Sequence, residues 1–111
     1  MPVPTTVNFR DMFPSPSVDA FVRRWANRLA RFEPRVQHVE VTIDLPHRHH
    51  ERGNHFRAQV VVTLPGREIA VSHEPGDDAA HEDVRVAVRD SFRAARRQLE
   101  DARRVRAHRA A

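Results

Sequence analysis

Each segment of this chain that has a hydrophobic period presents one apolar face and one polar face. Thr5 to Arg10 sets Val7 and Phe9 against Thr6 and Asn8, and Val39, Val41, Ile43 and Leu45 alternate with His38, Glu40, Thr42 and Asp44. Phe56, Ala58, Val60, Val62 and Leu64 alternate with Arg57, Gln59 and Thr63, and Ile69 and Val71 continue the pattern in a fourth short run. This period of two predicts half-buried strands. Two longer stretches carry the helical period instead. One runs from Val18 to about Phe32 through Val18, Phe21, Val22, Trp25, Leu29 and Phe32. The other runs from Ala79 to about Arg106 through Val84, Val88, Phe92, Ala95, Leu99 and Ala102. A strand or helix with one apolar side must hide it against a second layer, so the patterning demands two layers.

Punctuation places the boundaries. Pro14 and Pro16 break the first strand, and Ser17 is the expected N-cap of the helix that starts at Val18. Pro34 ends that helix, a polar loop spans Pro46 to Asn54, and Pro65-Gly66 turns the third strand into the fourth. Asp77 or Asp78, in the loop that follows, is expected to cap the final helix. The predicted order is β-α-β-β-β-α, with the last three strands as an antiparallel meander. The economical packing is an α+β two-layer sandwich: a four-stranded sheet with both helices on one face. With 111 residues, the chain fits one domain with a single modest core, and residues 105–111 are expected to form a frayed basic tail.

Charge is distributed unevenly over that frame. From Val84 onward nine arginines face three acids, about +6, whereas the preceding residues hold ten arginines and twelve acids, about −2. The final helix is thus a cationic arm on a near-neutral body, an arrangement that suits a polyanionic partner. Its apolar residues fall in an arc of about 80°. Arg85, Arg89, Arg96 and Arg103 lie along the edge of the arc, and Arg93, Arg97 and Arg104 lie further round. Such a stripe follows a phosphate backbone, with binding that weakens steeply as salt rises. The competing reading is a solvated face held by pairs such as Arg93 with Asp90 or Arg97 with Asp101. The absence of lysine among nineteen basic residues fits either selection for phosphate contacts or a GC-rich genome.

The aromatic residues narrow the mode of recognition. Phe9, Phe21, Trp25, Phe32, Phe56 and Phe92 all fall on predicted apolar faces, leaving Phe13 uncommitted. Single-stranded RNA modules need exposed rings on which bases stack. Recognition here is expected to run through phosphates, ribose and RNA shape. The candidates for RNA contact are Arg23, Arg24, Arg28 and Arg31 on the first helix, Arg48 and Arg52 in the polar loop, and Arg89, Arg93, Arg96, Arg97, Arg103 and Arg104 on the last.

The polar loop also places His47, His49, His50 and His55 within nine positions. Converging imidazoles bind zinc or nickel, but the interleaved arginines oppose a cation. The loop therefore reads as an RNA contact, a solvated loop or a metal site. A metal-responsive interaction module built on those histidines is the alternative function. His73 and His81 read as structural. Cysteine is absent, which excludes disulfides, thiolate zinc sites and cysteine nucleophiles. No nucleophile elbow, Gly-rich phosphate loop or helical metalloprotease motif is present; Ser91 reads as core, and the acids 77, 78, 82 and 83 read as helix capping. Neither catalysis nor a cofactor is expected. Without a signal-peptide pattern or a membrane-length apolar run, a cytoplasmic protein with no membrane partner is expected.

The run His81-Glu82-Asp83-Val84-Arg85-Val86-Ala87-Val88-Arg89-Asp90, followed by Phe92 and Ala95-Arg96-Arg97-Gln98-Leu99-Glu100, resembles the final helix of the hibernation-promoting factor family, the ribosome-associated translation inhibitors. The loop from Pro46 to His50 is similar to a His-rich loop in one bacterial branch of that family. The resemblance covers about residues 5 to 105. It departs at Arg85, where the family often has tyrosine. Longer members add a ribosome-dimerising or cold-shock domain, which this sequence does not carry, so pairing of ribosomes through its own tail is not expected. The resemblance implies a factor, monomeric in solution, that binds the small ribosomal subunit and its rRNA between head and body. There it would block the paths of mRNA and the A- and P-site tRNAs by steric occlusion, with no small-molecule substrate.

Overall fold

A computed structural model of the protein describes residues 2–45, 56–73 and 83–110. The elements are β1 (Thr5–Arg10), α1 (Pro16–Phe32), β2 (His38–Asp44), β3 (Arg57–Leu64), β4 (Arg67–His73) and α2 (Val84–Ala110). The strands form one sheet in the order β1-β2-β3-β4. β1 runs parallel to β2, with Val7 opposite Val41, and the other two pairings are antiparallel, with Val41 opposite Val60 and Val60 opposite Val71. The parallel pair is the consequence of placing α1 as the crossover between its two strands. Both helices cover the same face, as the one-sided pattern requires.

That shared face is the core. Val39, Val41, Ile43, Ala58, Val60 and Val62 of the central strands meet Val22, Ala26 and Leu29 of α1 and Val88, Phe92, Ala95 and Leu99 of α2, all buried. Each fully buried valine, leucine, isoleucine or phenylalanine there contributes roughly 1.5–3 kcal/mol relative to exposure. Ser91 sits within this layer without cost, because its hydroxyl donates within reach of the Ala87 and Ala58 carbonyls at 2.9 and 3.2 Å.

Three boundaries differ from the sequence expectation. α1 starts two residues early: the Ser15 hydroxyl accepts from the Val18 amide at 3.3 Å, and Pro16 occupies the first turn. Pro16 is thus a helix starter, since at that position its missing N–H has no partner to lose, and Ser17 lies inside the helix. α2 begins at Val84, with the Asp83 carboxylate accepting from the Arg85 amide at 2.9 Å. Asp83 therefore caps the helix where Asp77 or Asp78 was expected; both of those lie outside the described residues. The backbone of α2 stays helical to Ala110, beyond the expected end near Arg106.

Turns fit their sequences. Gly66 takes φ +74° after Pro65, the left-handed conformation that glycine adopts at no steric cost. Asp11, φ 55°, ends β1 in the same region, which aspartate tolerates better than most residues. Glu33 closes α1 by donating its amide to the Leu29 carbonyl at 2.9 Å, after which Pro34 prevents continuation. The molecule measures 54 × 29 × 19 Å. α2 is about 40 Å long at 1.5 Å per residue; among the described side chains Leu99 is its last buried one, and Val105 is 54% exposed.

Candidate nucleic-acid interface

The outer surface of the two helices is where the sequence places most of its cationic candidates, and the described ones fall there. Arg23, Arg24, Arg28 and Arg31 on α1, and Arg93, Arg96, Arg97, Arg103 and Arg104 on α2, are exposed, with Arg89 half-buried at the edge. Their local partners differ. Arg23 bonds Asp19 at 2.6 Å and the Thr5 carbonyl at 3.1 Å, and the Asp19 hydrogen bond raises its already high pKa further. It is tied to its own fold on two sides. Arg89 pairs with Asp90 at 3.2 Å, Arg104 pairs with Asp101, and Arg96 lies 3.8 Å from Glu100. Exposed pairs of this kind stabilise by about 0–1 kcal/mol, so they do not remove the cations from use.

The pairs anticipated for a solvated face do not form. Asp90 and Asp101 bind Arg89 and Arg104, and among the described residues Arg93 and Arg97 make no ion pair. Both are exposed on the middle of α2. Arg48 and Arg52, together with His47, His49, His50 and His55, lie outside the described residues, as does His81. Among the described residues no group of three or more metal-ligating side chains converges, and no helix is long and apolar enough to cross a membrane.

The apolar periods place Phe21, Trp25, Phe32 and Phe92 on the core side of their helices. Phe92 is fully buried, but Phe21, Trp25 and Phe32 are only half-buried, and guanidinium groups lie over their rings. Arg28 lies over Trp25 with its Cζ 4.5 Å from the ring centroid, and Arg96 and Arg103 lie over Phe32 at 4.3 and 5.1 Å. Arg24 and Arg85 approach Phe21 at 5.7 and 5.9 Å. Below them Trp25 stacks on Phe92 with centroids 6.1 Å apart and meets Phe21 edge-on at 6.4 Å. The seam between the helices is therefore a strip of rings under a row of arginines. Only the spacing of three between Phe21 and Arg24, and between Trp25 and Arg28, was visible in the sequence. Arg85 belongs to the same arrangement: besides reaching Phe21, it donates to Ser17 at 3.4 Å across the helix pair. Phe13 is 92% exposed.

The opposite face of the sheet is polar and engages itself. Thr6 bonds His38 at 2.9 Å, Asn8 donates to Glu40 at 2.9 Å and to Thr42 at 3.4 Å, and Arg57 pairs with Asp44. A shallow depression of about 230 Å³ lies on this side, lined by Arg10, Thr42, Asp44, Arg57, Gln59 and Ser72. Asp44 is 8% exposed, and among the described residues its Oδ1 has no hydrogen-bond partner.

Fold and surface together define a two-layer α+β module whose helices carry a cationic outer face. Residues 5–106 match the family described as Sigma 54 modulation protein / S30EA ribosomal protein, and the chain belongs to that family, whose members are ribosome-associated factors and not enzymes. No curated relative matches the sequence. Among solved structures, the chain is similar to the N-terminal domain of Protein Y from Thermus thermophilus, with 21% identity and TM-score 0.68 over 91% of this chain and 98% of that one. It is also similar to a ribosomal subunit interface protein from Coxiella burnetii, with 14% identity and TM-score 0.67 over 89% of this chain and 96% of that one. At these identities the likeness establishes the fold.

Proposed function

We propose that this protein binds the small ribosomal subunit with its helical face and inhibits translation by occupying the path of mRNA and the A- and P-site tRNAs. The observation that carries this reading is the asymmetry of the described charges. Arg93 and Arg97 make no ion pair among the described residues, and Arg28, Arg96 and Arg103 lie over rings of the same face, while Thr6, Asn8, Asp44 and Arg57 on the sheet's other face bond to its own side chains. Membership of a ribosome-associated family turns a general affinity for polyanions into one for rRNA. The arginines of both helices contact phosphates, the sheet is a rigid spacer, and no bond is made or broken. Phosphate contacts position the protein without reading sequence, which suits a factor that blocks a fixed channel. On this reading it acts as a cytoplasmic monomer.

Co-sedimentation with small subunits over a salt series tests the proposal. Binding is expected to weaken linearly on a log–log scale, by roughly 0.7–0.9 log units per tenfold salt for each phosphate neutralised. The Arg93→Glu/Arg96→Glu/Arg97→Glu variant is expected to lose on the order of a hundredfold in affinity. Normal pelleting of that variant at moderate salt overturns the arginine-face reading.

A further inference from the structure

The ring strip along the helix seam has a consequence for how the cations work. A free arginine on a helix surface samples many rotamers, and fixing it against a phosphate costs conformational entropy on each binding event. A guanidinium already stacked on a ring has given up part of that freedom in the unbound protein. Phe32 holds two such groups, seven residues apart on α2. Arg96 lies 4.3 Å and Arg103 5.1 Å from its centroid, and Arg103 also donates to the Phe32 carbonyl at 3.3 Å. Trp25 holds Arg28 at 4.5 Å and is itself braced from beneath by the stacked Phe92 ring. Glu33, next in the chain to Phe32 and 4% exposed, has its carboxyl held below the ordinary carboxylate range chiefly by the Arg35 hydrogen bond, with a smaller attraction from Arg103.

We propose that Phe32 and Trp25 are positioning residues that pre-arrange Arg96, Arg103 and Arg28 as one row of phosphate-binding forks along the seam between α1 and α2. This rests on the functional reading above and deepens it. A guanidinium carries five N–H donors, so one that lies over a ring and donates to the Phe32 carbonyl or pairs with Glu100 still has others for a phosphate to accept. With guanidinium groups over them, the half-buried rings of this seam serve the cations, in keeping with recognition through phosphates. The partner chemistry that fits is a sugar–phosphate backbone running along the seam. From Arg85, at one end over Phe21, to Arg103 the row extends about 27 Å along α2 at 1.5 Å per residue.

The test is a double-mutant cycle read by small-subunit affinity over a salt series, with side-chain NMR of the free protein. Phe32→Leu is expected to weaken binding about threefold to tenfold, Phe32→Tyr to bind as the unmodified protein does, and Phe32→Leu to add nothing once Arg96→Ala/Arg103→Ala is present. In the free protein the side-chain protons of Arg96 and Arg103 are expected to show an upfield ring-current shift that Phe32→Leu removes and Phe32→Tyr keeps. Full affinity in Phe32→Leu overturns the proposal, as does an equal loss in the arginine-free background, which would mean that the ring serves the fold alone. Failure of the unmodified protein to bind subunits would instead sink the functional reading, and a missing ring-current shift would then remove the positioning role independently. Should Phe32→Leu not fold, Arg96→Lys/Arg103→Lys replaces it: charge is kept but the planar stack is lost. A threefold to tenfold weakening supports the role, and unchanged binding overturns it.

Discussion

The open face of the sheet and the outer surface of the helices both carry polar and charged side chains and use them in opposite ways. On the open face, hydroxyl, amide, imidazole and charged groups are neighbours on adjacent strands, so Thr6 meets His38, Asn8 meets Glu40 and Asp44 meets Arg57. Asp44 and Arg57 are directly opposite, and Thr6–His38 and Asn8–Glu40 are diagonal neighbours, all within reach of their side chains across the ladder. On the helical side the charged groups stand on the far surface of two cylinders, and α2 has only three acids against nine arginines. What the helices cannot neutralise they stack on aromatic rings or leave projecting. Several polar groups of one face pair with one another, whereas the other face carries the larger excess of positive charge.

Several substitutions break or sharpen that contrast. The largest effect is expected beneath the seam: Phe92→Ala removes a ring that is 1% exposed and supports Trp25, costing about 3–5 kcal/mol of stability in urea denaturation. Next is the triple glutamate variant of Arg93, Arg96 and Arg97, whose hundredfold loss of subunit affinity corresponds to about 2.7 kcal/mol, with the thermal midpoint little changed. On the open face, Arg57→Ala is expected to lower stability by roughly 1–3 kcal/mol by leaving Asp44 buried without this partner, while subunit affinity stays the same. A loss of affinity there would show that the open face takes part in binding.

A smaller effect concerns Glu33. Its carboxyl is held below the ordinary range chiefly by the Arg35 side-chain hydrogen bond, with the Arg35 amide and the charges of Arg35 and Arg103 assisting and burial opposing. A depressed folded pKa contributes stability that is present above the unfolded carboxylate value and lost as pH falls through the folded value. Arg35→Ala moves that folded value back up. The variant should be less stable at neutral pH by about 1 kcal/mol and should begin its acid unfolding at a higher pH, with the difference from the unmodified protein vanishing in strong acid. The smallest effect is expected from Ala70→Glu, a negative charge on the exposed open face of β4, which should change subunit affinity less than about twofold beyond the general field of one added charge.

Much of the fold was legible because it rests on periods. Alternation in Val39, Val41 and Ile43 and in Ala58, Val60 and Val62 identified both central strands and the face each buries, and the arc from Val84 through Leu99 identified the buried side of α2. Terminal residues were less legible. Pro16 acts as a breaker or a starter depending on whether a cap precedes it, and Ser15 rather than Ser17 supplies that cap. The cationic surface was legible as a stripe, but the partners of its members were not. Asp90 lies within reach of both Arg89 and Arg93, and rotamer and local burial choose between them.

The sequence by itself determined that this chain makes two layers, which residues face inward, and that its excess positive charge lies on the last helix, because each follows from local spacing along one element. Tertiary structure alone decided that Phe32 lies under Arg96 and Arg103, and that Trp25 rests on Phe92. Those contacts join residues of two helices separated by most of the chain, and their distances depend on how the helices cross the sheet, which has no period to read.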